Sequence, residues 1–128
     1  MGLFLASEPF LEWASVTFQI LGPHVESREF HETLGVEPTF VRKGVWCFET
    51  KGAVSSSDVN QHLSYVLRAF LPIKDKIEHL GPDFRVVVSI YWGATDLHSG
   101  SGPTIHSESI LGLAQLSASL VFNIMNHR

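Results

Sequence analysis

The stretch D-F-R-V-V-V-S-I-Y-W-G, residues 83–93, has the strongest strand pattern in the chain because it is rich in β-branched and aromatic side chains. Successive side chains of a strand point to opposite faces of a sheet. One alternating set is entirely apolar and predicts a core face: Phe84, Val86, Val88, Ile90 and Trp92. The other set is mixed and predicts neither a core face nor a fully solvated one: Arg85, Val87, Ser89 and Tyr91.

The segments on either side of this strand predict further strands and helices in alternation. Strands are expected at 15–22, within 39–50 with a turn at Lys43-Gly44, and at 119–126. Helices are expected at about 25–34, 57–80 and 107–118. Ser57 or Asp58 is expected to cap the long helix and Ser107 the last one, while Pro72 should kink the long helix.

The predicted order of elements is therefore β-α-β(β)-α-β-α-β. It indicates an α+β fold with a single mixed sheet of four to five strands and three helices packed on one face. A weak internal sequence similarity suggests two βαβ-like halves joined by the long helix. The length of 128 residues predicts a single domain over residues 1–128.

The stretch H-E-T-L-G-V-E-P-T, residues 31–39, contains a histidine and two glutamates within seven residues, yet we interpret it as structural. Gly35 is placed to end a helix in the left-handed conformation, and Pro38 favours an extended chain at Glu37. His31 is then an exposed side chain near a helix C-terminus rather than a catalytic group.

Several stretches together resemble a known protein family. They are an opening strand ending in Gly, then LGVEPT, KG…W-x-F-E-T, HLSYVLRAFLPIKDKIEHLG and ESILGLAQLSASLVFNI. Over about residues 14–126 they are similar to the bacterial family called domain of unknown function 4279. The chain departs from that family's layout in the short segment between Lys43 and Trp46 and in a 96–106 loop rich in His, Ser and Gly. The resemblance implies no established activity and no catalytic residues.

Composition excludes several classes of protein. The formal net charge is −4 and no stretch clusters Lys and Arg, which argues against a nucleic-acid or anionic-membrane surface. No apolar run reaches transmembrane length, and the N-terminus has no basic region of a signal peptide. The lone Cys47 cannot form an intramolecular disulfide. We expect a cytoplasmic protein.

No motif predicts a catalytic residue, a metal or a cofactor. Asp96, His98 and His106 share one loop and could supply three metal ligands, but no HxH or HExxH spacing organises them. Cys47 lies within a predicted strand with no histidine beside it in the sequence, so we expect a buried, inert thiol. His62 adjoins an apolar helix stripe and is interpreted as a satisfied boundary residue rather than a ligand.

The most informative surface is the second face of the sheet. If Phe18, Ile20, Phe122 and Ile124 point toward the helices, the opposite face carries amide, guanidinium, phenol and carboxylate groups among Val and Met side chains. Such a mixture suits a ligand site or a protein interface. The candidate site residues are Gln19, Glu49, Arg85, Tyr91 and Asn123. The alternative is a half-covered face on which Arg85 and Glu49 pair across strands.

These observations favour a small cytoplasmic bacterial protein that works as a non-enzymatic binding or protein-interaction module. Its expected partner is a second copy in a homodimer or another protein, and a small-molecule ligand stays open. The alternative is an enzyme acting on a small polar ligand. Its site would be either the Arg85/Tyr91/Glu49 sheet face or the 96–106 loop.

Overall fold

The structure is a computed structural model that describes residues 12–95 and 102–126. It contains five strands, four α-helices and one 3₁₀ turn in these ranges. In chain order they are β1 Glu12–Leu21, α1 Arg28–Leu34, β2 Phe40–Arg42, β3 Val45–Glu49, α2 Val59–Phe70, the 3₁₀ turn Leu71–Ile73, α3 Lys74–Glu78, β4 Arg85–Ala94, α4 Ser107–Gln115 and β5 Ser119–Asn126. No helix among the described residues is both long and apolar enough to cross a membrane.

The five strands form one sheet in the order β2-β3-β1-β4-β5. β1 is antiparallel to both of its neighbours, β3 and β4, and β2 is antiparallel to β3. The first four strands therefore have the order and directions of the split βαββαβ motif. β5 extends the sheet by pairing parallel to β4, with α4 as the crossover. The predicted α+β class with a single mixed sheet is confirmed.

The two predicted βαβ-like halves differ in geometry. β4, α4 and β5 form a βαβ unit whose parallel strands are adjacent. β1 and β2 also run parallel, but β3 lies between them because β2 and β3 form a hairpin through the predicted turn at Lys43 and Gly44. The two halves are therefore not equivalent repeats.

The core is centred on Phe18 of β1. The Phe18 ring stacks on Phe70 of α2, with centroids 3.7 Å apart and 10° between the planes, and meets Trp46 of β3 edge-on at 6.4 Å. Trp46 meets Phe30 of α1 at 6.5 Å. All four aromatic side chains are buried. One cluster thus joins two strands to two helices, and the loss of a large side chain from such a cluster costs about 3–5 kcal/mol.

The helix ends agree with the sequence prediction at two places and differ at a third. Asp58 caps α2 by accepting a hydrogen bond from the backbone N–H of Asn60. The predicted kink at Pro72 is confirmed, since α2 gives way to a 3₁₀ turn before α3 begins. The prediction that Ser107 caps the last helix is wrong. Ser107 is the first residue of α4, and the N-cap position belongs to His106, whose side chain makes no capping hydrogen bond.

The stretch at residues 31–39 has the structural role that its sequence predicts. α1 ends at Leu34, and Gly35 follows at φ 70° and ψ 14° with its N–H donating to the His31 carbonyl. The His31 Nε2 atom lies 3.5 Å from Glu37 Oε2 on the exposed surface. Gly35 therefore ends the helix, while His31 makes only a solvent-accessible contact.

Replacing Gly35 by Val should destabilise the fold by about 1–2 kcal/mol, because the left-handed conformation is strained for a β-branched residue. His31→Ala is the control and should change the free energy of unfolding by less than about 0.5 kcal/mol, since its contact with Glu37 is exposed. Chemical denaturation of both variants measures the difference. Equal effects of the two substitutions would contradict the structural interpretation.

Candidate functional site

The candidate residues share the sheet face opposite the helices, which we call the second face. On this face only one pair of them, Tyr91 and Asn123, are direct register partners, on β4 and β5. Gln19 is the register partner of Cys47 on one side and of Val87 on the other. Val87 precedes Tyr91 by four residues on β4, so Gln19 and Tyr91 lie at different levels of the sheet. The predicted site is therefore spread over the face rather than gathered at one point.

Glu49 and Arg85 are far apart on the second face. Glu49 is the register partner of Thr17 in the middle of β1, whereas Arg85 is the partner of Leu21, four residues further along at the end of β1. Four residues of a strand span ~13 Å, and two strand spacings separate them further. The alternative prediction that Arg85 and Glu49 pair across strands is therefore wrong. The Arg85/Tyr91/Glu49 set does not converge.

Cys47 lies near the centre of the second face and is fully buried. Burial raises the pKa of its thiol to about 11, and the Glu49 carboxylate acts in the same direction. A hydrogen bond with the Gln19 side chain and the Arg42 guanidinium lower the pKa by less. Because the thiolate is the reactive form of cysteine, this thiol is unsuited to nucleophilic chemistry near neutral pH.

His62 of α2 is fully buried, and both of its ring nitrogens are hydrogen-bonded. Its Nε2–H donates to the Ser56 carbonyl oxygen at 2.7 Å, and in the tautomer that carries the proton on Nε2 the Nδ1 atom is an acceptor. The Thr50 hydroxyl, 2.6 Å from Nδ1, donates to it and accepts from the Val16 N–H at 2.9 Å. His62 is thus satisfied, as predicted, but it belongs to the core and not to its boundary. It ties α2 to β1.

A cavity of about 300 Å³ lies at the carboxyl end of β4, between the N-termini of α2 and α4. Its lining residues include His106 and two residues that carry carboxylates, Glu12 and Asp58. Both carboxylates are already engaged. Glu12 Oε2 accepts from Trp92 Nε1 at 3.1 Å, and Asp58 Oδ1 accepts from the Asn60 backbone.

Asn60, which also lines this cavity, has every polar group of its side chain occupied. Its Nδ2 donates to the Thr104 carbonyl at 2.7 Å and to Asp58 Oδ1 at 3.1 Å. Its Oδ1 accepts from the His106 N–H at 2.9 Å and the Ser109 hydroxyl at 3.3 Å. Asn60 therefore clamps the start of α4 onto the start of α2, and its amide is not available to a ligand.

The three loop residues considered as metal ligands are only partly described. Asp96 and His98 lie outside the described residues, and His106 sits at the N-cap of α4. Within residues 12–95 and 102–126, no group of three or more His, Cys, Asp or Glu side chains is placed to hold a metal ion.

A different surface combines exposure with apolar chemistry, and we call it the β5 edge surface. It consists of Val121, Phe122 and Ile124 of β5, which are 44%, 48% and 46% exposed, together with Ile110, 52% exposed, on α4, the helix that leads into β5. Phe122 and Ile124 lie on the helix side of the sheet, as predicted, but they are not core residues. β5 is the edge strand, and in the described part of the chain it pairs only with β4.

The two edges of the sheet are protected to different degrees. β2 has only three residues, ends in Arg42 and is followed by Lys43. Short length and positive charge both hinder the pairing of another strand at a sheet edge. β5 has eight residues and contains neither a charged residue nor proline. A long, uncharged apolar edge is a site for pairing with another strand.

The β5 edge surface was missed because alternation reveals which side chains share a face and not whether another element covers them. The available signal was the composition of residues 119–126, SLVFNIMN, which carries none of the charges that protect an edge. Of the five predicted site residues, only Asn123 lies on this strand.

The chain belongs to the family described as Domain of unknown function (DUF4279), whose family model matches residues 12–127. The resemblance noted in the sequence is thereby confirmed, and it extends over nearly the whole chain. Comparisons with curated proteins and with solved structures gave no match.

Thr50→Val should destabilise the fold by about 2–4 kcal/mol, because the Val16 N–H and His62 Nδ1 would lose their partner inside the core. Thr39→Val is the matched control. Its hydroxyl also accepts a strand N–H, that of Glu49 at 2.8 Å, but at an exposed position where water can replace it. We expect a loss below about 1 kcal/mol there. Similar losses of unfolding free energy in urea denaturation would show that the buried hydrogen bonds of Thr50 have no special role.

Cys47 should react slowly with iodoacetamide at pH 8 in the folded protein. A thiol with a pKa of about 11 is almost entirely protonated at that pH, and the side chain is buried. Unfolding in guanidinium returns the pKa to ~8.5 and exposes the sulfur, so alkylation should accelerate at least ~100-fold. Mass spectrometry measures both rates, and rapid alkylation of the native chain would refute the inert-thiol interpretation.

Proposed function

We propose that this protein is a small, non-enzymatic interaction module of the bacterial cytoplasm that binds a protein partner by strand addition at β5. The observation that supports the proposal is the β5 edge surface. An eight-residue edge strand without charge or proline offers a row of backbone donors and acceptors beside exposed apolar side chains.

The distribution of exposed side chains favours an added strand over a flat partner. Phe122 and Ile124 lie on the helix side of β5, whereas Val121 points to the second face. A partner docked on one face of the sheet would leave the apolar side chains on the other face exposed. A strand placed along the edge brings its own alternating side chains to both faces, so it covers all three side chains while its backbone pairs with β5.

The enzyme alternative has less support among the described residues. The register separates Arg85 from Glu49, and the carboxylates in the cavity beside α4 already accept hydrogen bonds from protein groups. A catalytic site needs titratable groups that converge on one reacting position. The predicted residues do not provide that convergence.

The absence of a disulfide at Cys47 supports the proposed location in the cytoplasm. Cys47 is free and buried, so folding does not depend on an oxidising compartment. This supports a protein that works where thiols stay reduced.

A fluorescein-labelled peptide with the β5 sequence SLVFNIM, flanked by lysines for solubility, should bind the folded protein with an affinity in the micromolar range, because it can pair along the edge. Fluorescence anisotropy at submicromolar protein concentration measures the binding. The control peptide has proline in place of the central phenylalanine. Proline removes a backbone donor and disrupts a strand, so its affinity should be at least ~10-fold weaker. Equal binding of both peptides would contradict strand addition.

A further inference from the structure

We propose that the strand added at β5 is the β5 strand of a second copy, in a symmetric dimer whose two-fold axis passes beside Asn123. This inference rests on the proposed function and names its partner. The two β5 strands run antiparallel and join the sheets of both copies into one.

Charge favours a second copy as the occupant. The chain carries a net charge of −4, which opposes contact between copies at most surfaces. β5 has no charged residue, and the exposed side chains of the β5 edge surface are all apolar. A two-fold interface places the same patch on both partners. This patch can face itself without repulsion between like charges.

The exposed area of the β5 edge surface also favours a second copy as the partner. Its four large side chains are each about half exposed, which corresponds to roughly 350 Å² per copy and 700 Å² for two copies. Backbone contacts along eight residues and the flanking Leu120 and Met125 add to this. The total approaches the ~1,000–1,200 Å² at which stable interfaces begin.

The orientation of α4 determines how the two copies face each other. Gly112 packs so closely on Leu67 of α2 that a Cβ atom there would lie 2.6 Å from Leu67 Cδ1. Ile110, two residues earlier, is about 160° around the helix and therefore points away from α2. If the helices of both copies lie on the same side of the joined sheet, each Ile110 helps to cover Phe122 and Ile124 at the junction.

This requirement restricts the register. Directly opposite residues of antiparallel strands share a face, so helices on the same side require partners that are both even-numbered or both odd-numbered along β5. Two such registers give almost full overlap. One has Phe122 opposite its own copy, and the other has Asn123 opposite its own copy.

The second of these registers matches the side chains better. It places Val121 opposite the partner's Met125 and Phe122 opposite the partner's Ile124, so that apolar groups meet. Asn123 then meets its own copy, where two amides can each donate and accept a hydrogen bond. The Phe122 register would instead place Val121 opposite the partner's Asn123. We therefore assign Asn123 to the two-fold axis.

Sedimentation-velocity ultracentrifugation over a range of concentrations tests the interface. Wild type should form dimers, and Val121→Lys should weaken dimerisation at least ~10-fold because two lysines would face the new junction. Val41→Lys is the matched control. Val41 is 41% exposed on the opposite edge strand, and its substitution should leave the dimer unchanged. A monomeric wild type, or equal effects of both substitutions, would overturn the proposal.

Disulfide trapping tests the register. Asn123→Cys should form a covalent dimer under mild oxidation, because directly opposite residues have Cβ atoms ~4.5–5.5 Å apart. Phe122→Cys should crosslink at least ~10-fold more slowly, since its own copy is displaced along the strand. The buried Cys47 does not compete. A reversed order of crosslinking rates would overturn the assignment of Asn123 to the axis.

Two further outcomes separate this inference from the proposed function. If the β5 peptide binds but wild type stays monomeric, strand addition holds and the second copy is wrong. If wild type dimerises and the proline peptide binds as well as the β5 peptide, strand addition fails, and the dimer must use another surface. Circular dichroism of each variant checks folding. If Val121→Lys unfolds, the interface is tested instead with Val121→Thr at the same position and with the crosslinking rates.

Discussion

The antiparallel ladder between β1 and β4 is the constraint on which the rest of the structure depends. It runs without interruption from Glu12 opposite Ala94 to Leu21 opposite Arg85. A slip of one residue would turn every side chain of a strand to the other face and remove Phe18 from its stack on Phe70. Because this register determines both faces at once, it also determines which side chains the helices cover. The hairpin of β2 and β3 then adds on one side and β5 on the other.

Local patterns in the sequence predicted most of the elements, and the strand order could not be derived from them. Alternation over 83–93 identified the buried face of β4, and Gly35 marked the end of α1, because both depend on neighbouring residues. Pairing between distant strands leaves no such local signal. The same alternation is compatible with several strand orders, so the separation of Arg85 from Glu49 appeared only with the register. The exposure of Phe122 likewise depends on β5 being an edge.

The hydrogen-bonded polar side chains contribute to architecture, His62 and Thr50 within the core and Asn60 at a partly exposed position. His62 and Thr50 satisfy each other together with two backbone groups, and Asn60 uses both its donors and its acceptor to hold α4 against α2. A buried polar group without a partner costs more than its hydrogen bond contributes, so complete networks like these make one arrangement of helices preferable to its alternatives. From sequence, His62 was recognised as satisfied, whereas the role of Asn60 depends on a partner more than forty residues away. These hydrogen-bonded side chains therefore hold the scaffold that presents β5.

The contrast between the two edges also explains how assembly through β5 would end. An unprotected edge strand allows open-ended aggregation when each addition leaves another free edge. Pairing β5 with its own copy around a two-fold axis consumes both long edges at once. The edges that remain are two copies of β2, each three residues long and followed by a turn that carries Lys43. A short, positively charged edge is a poor template for a further strand. In the proposed dimer the joined sheet of ten strands is therefore closed to growth, and Asn123, the one polar side chain between Leu120 and Met125, opposes registers that would leave its amide against an apolar neighbour.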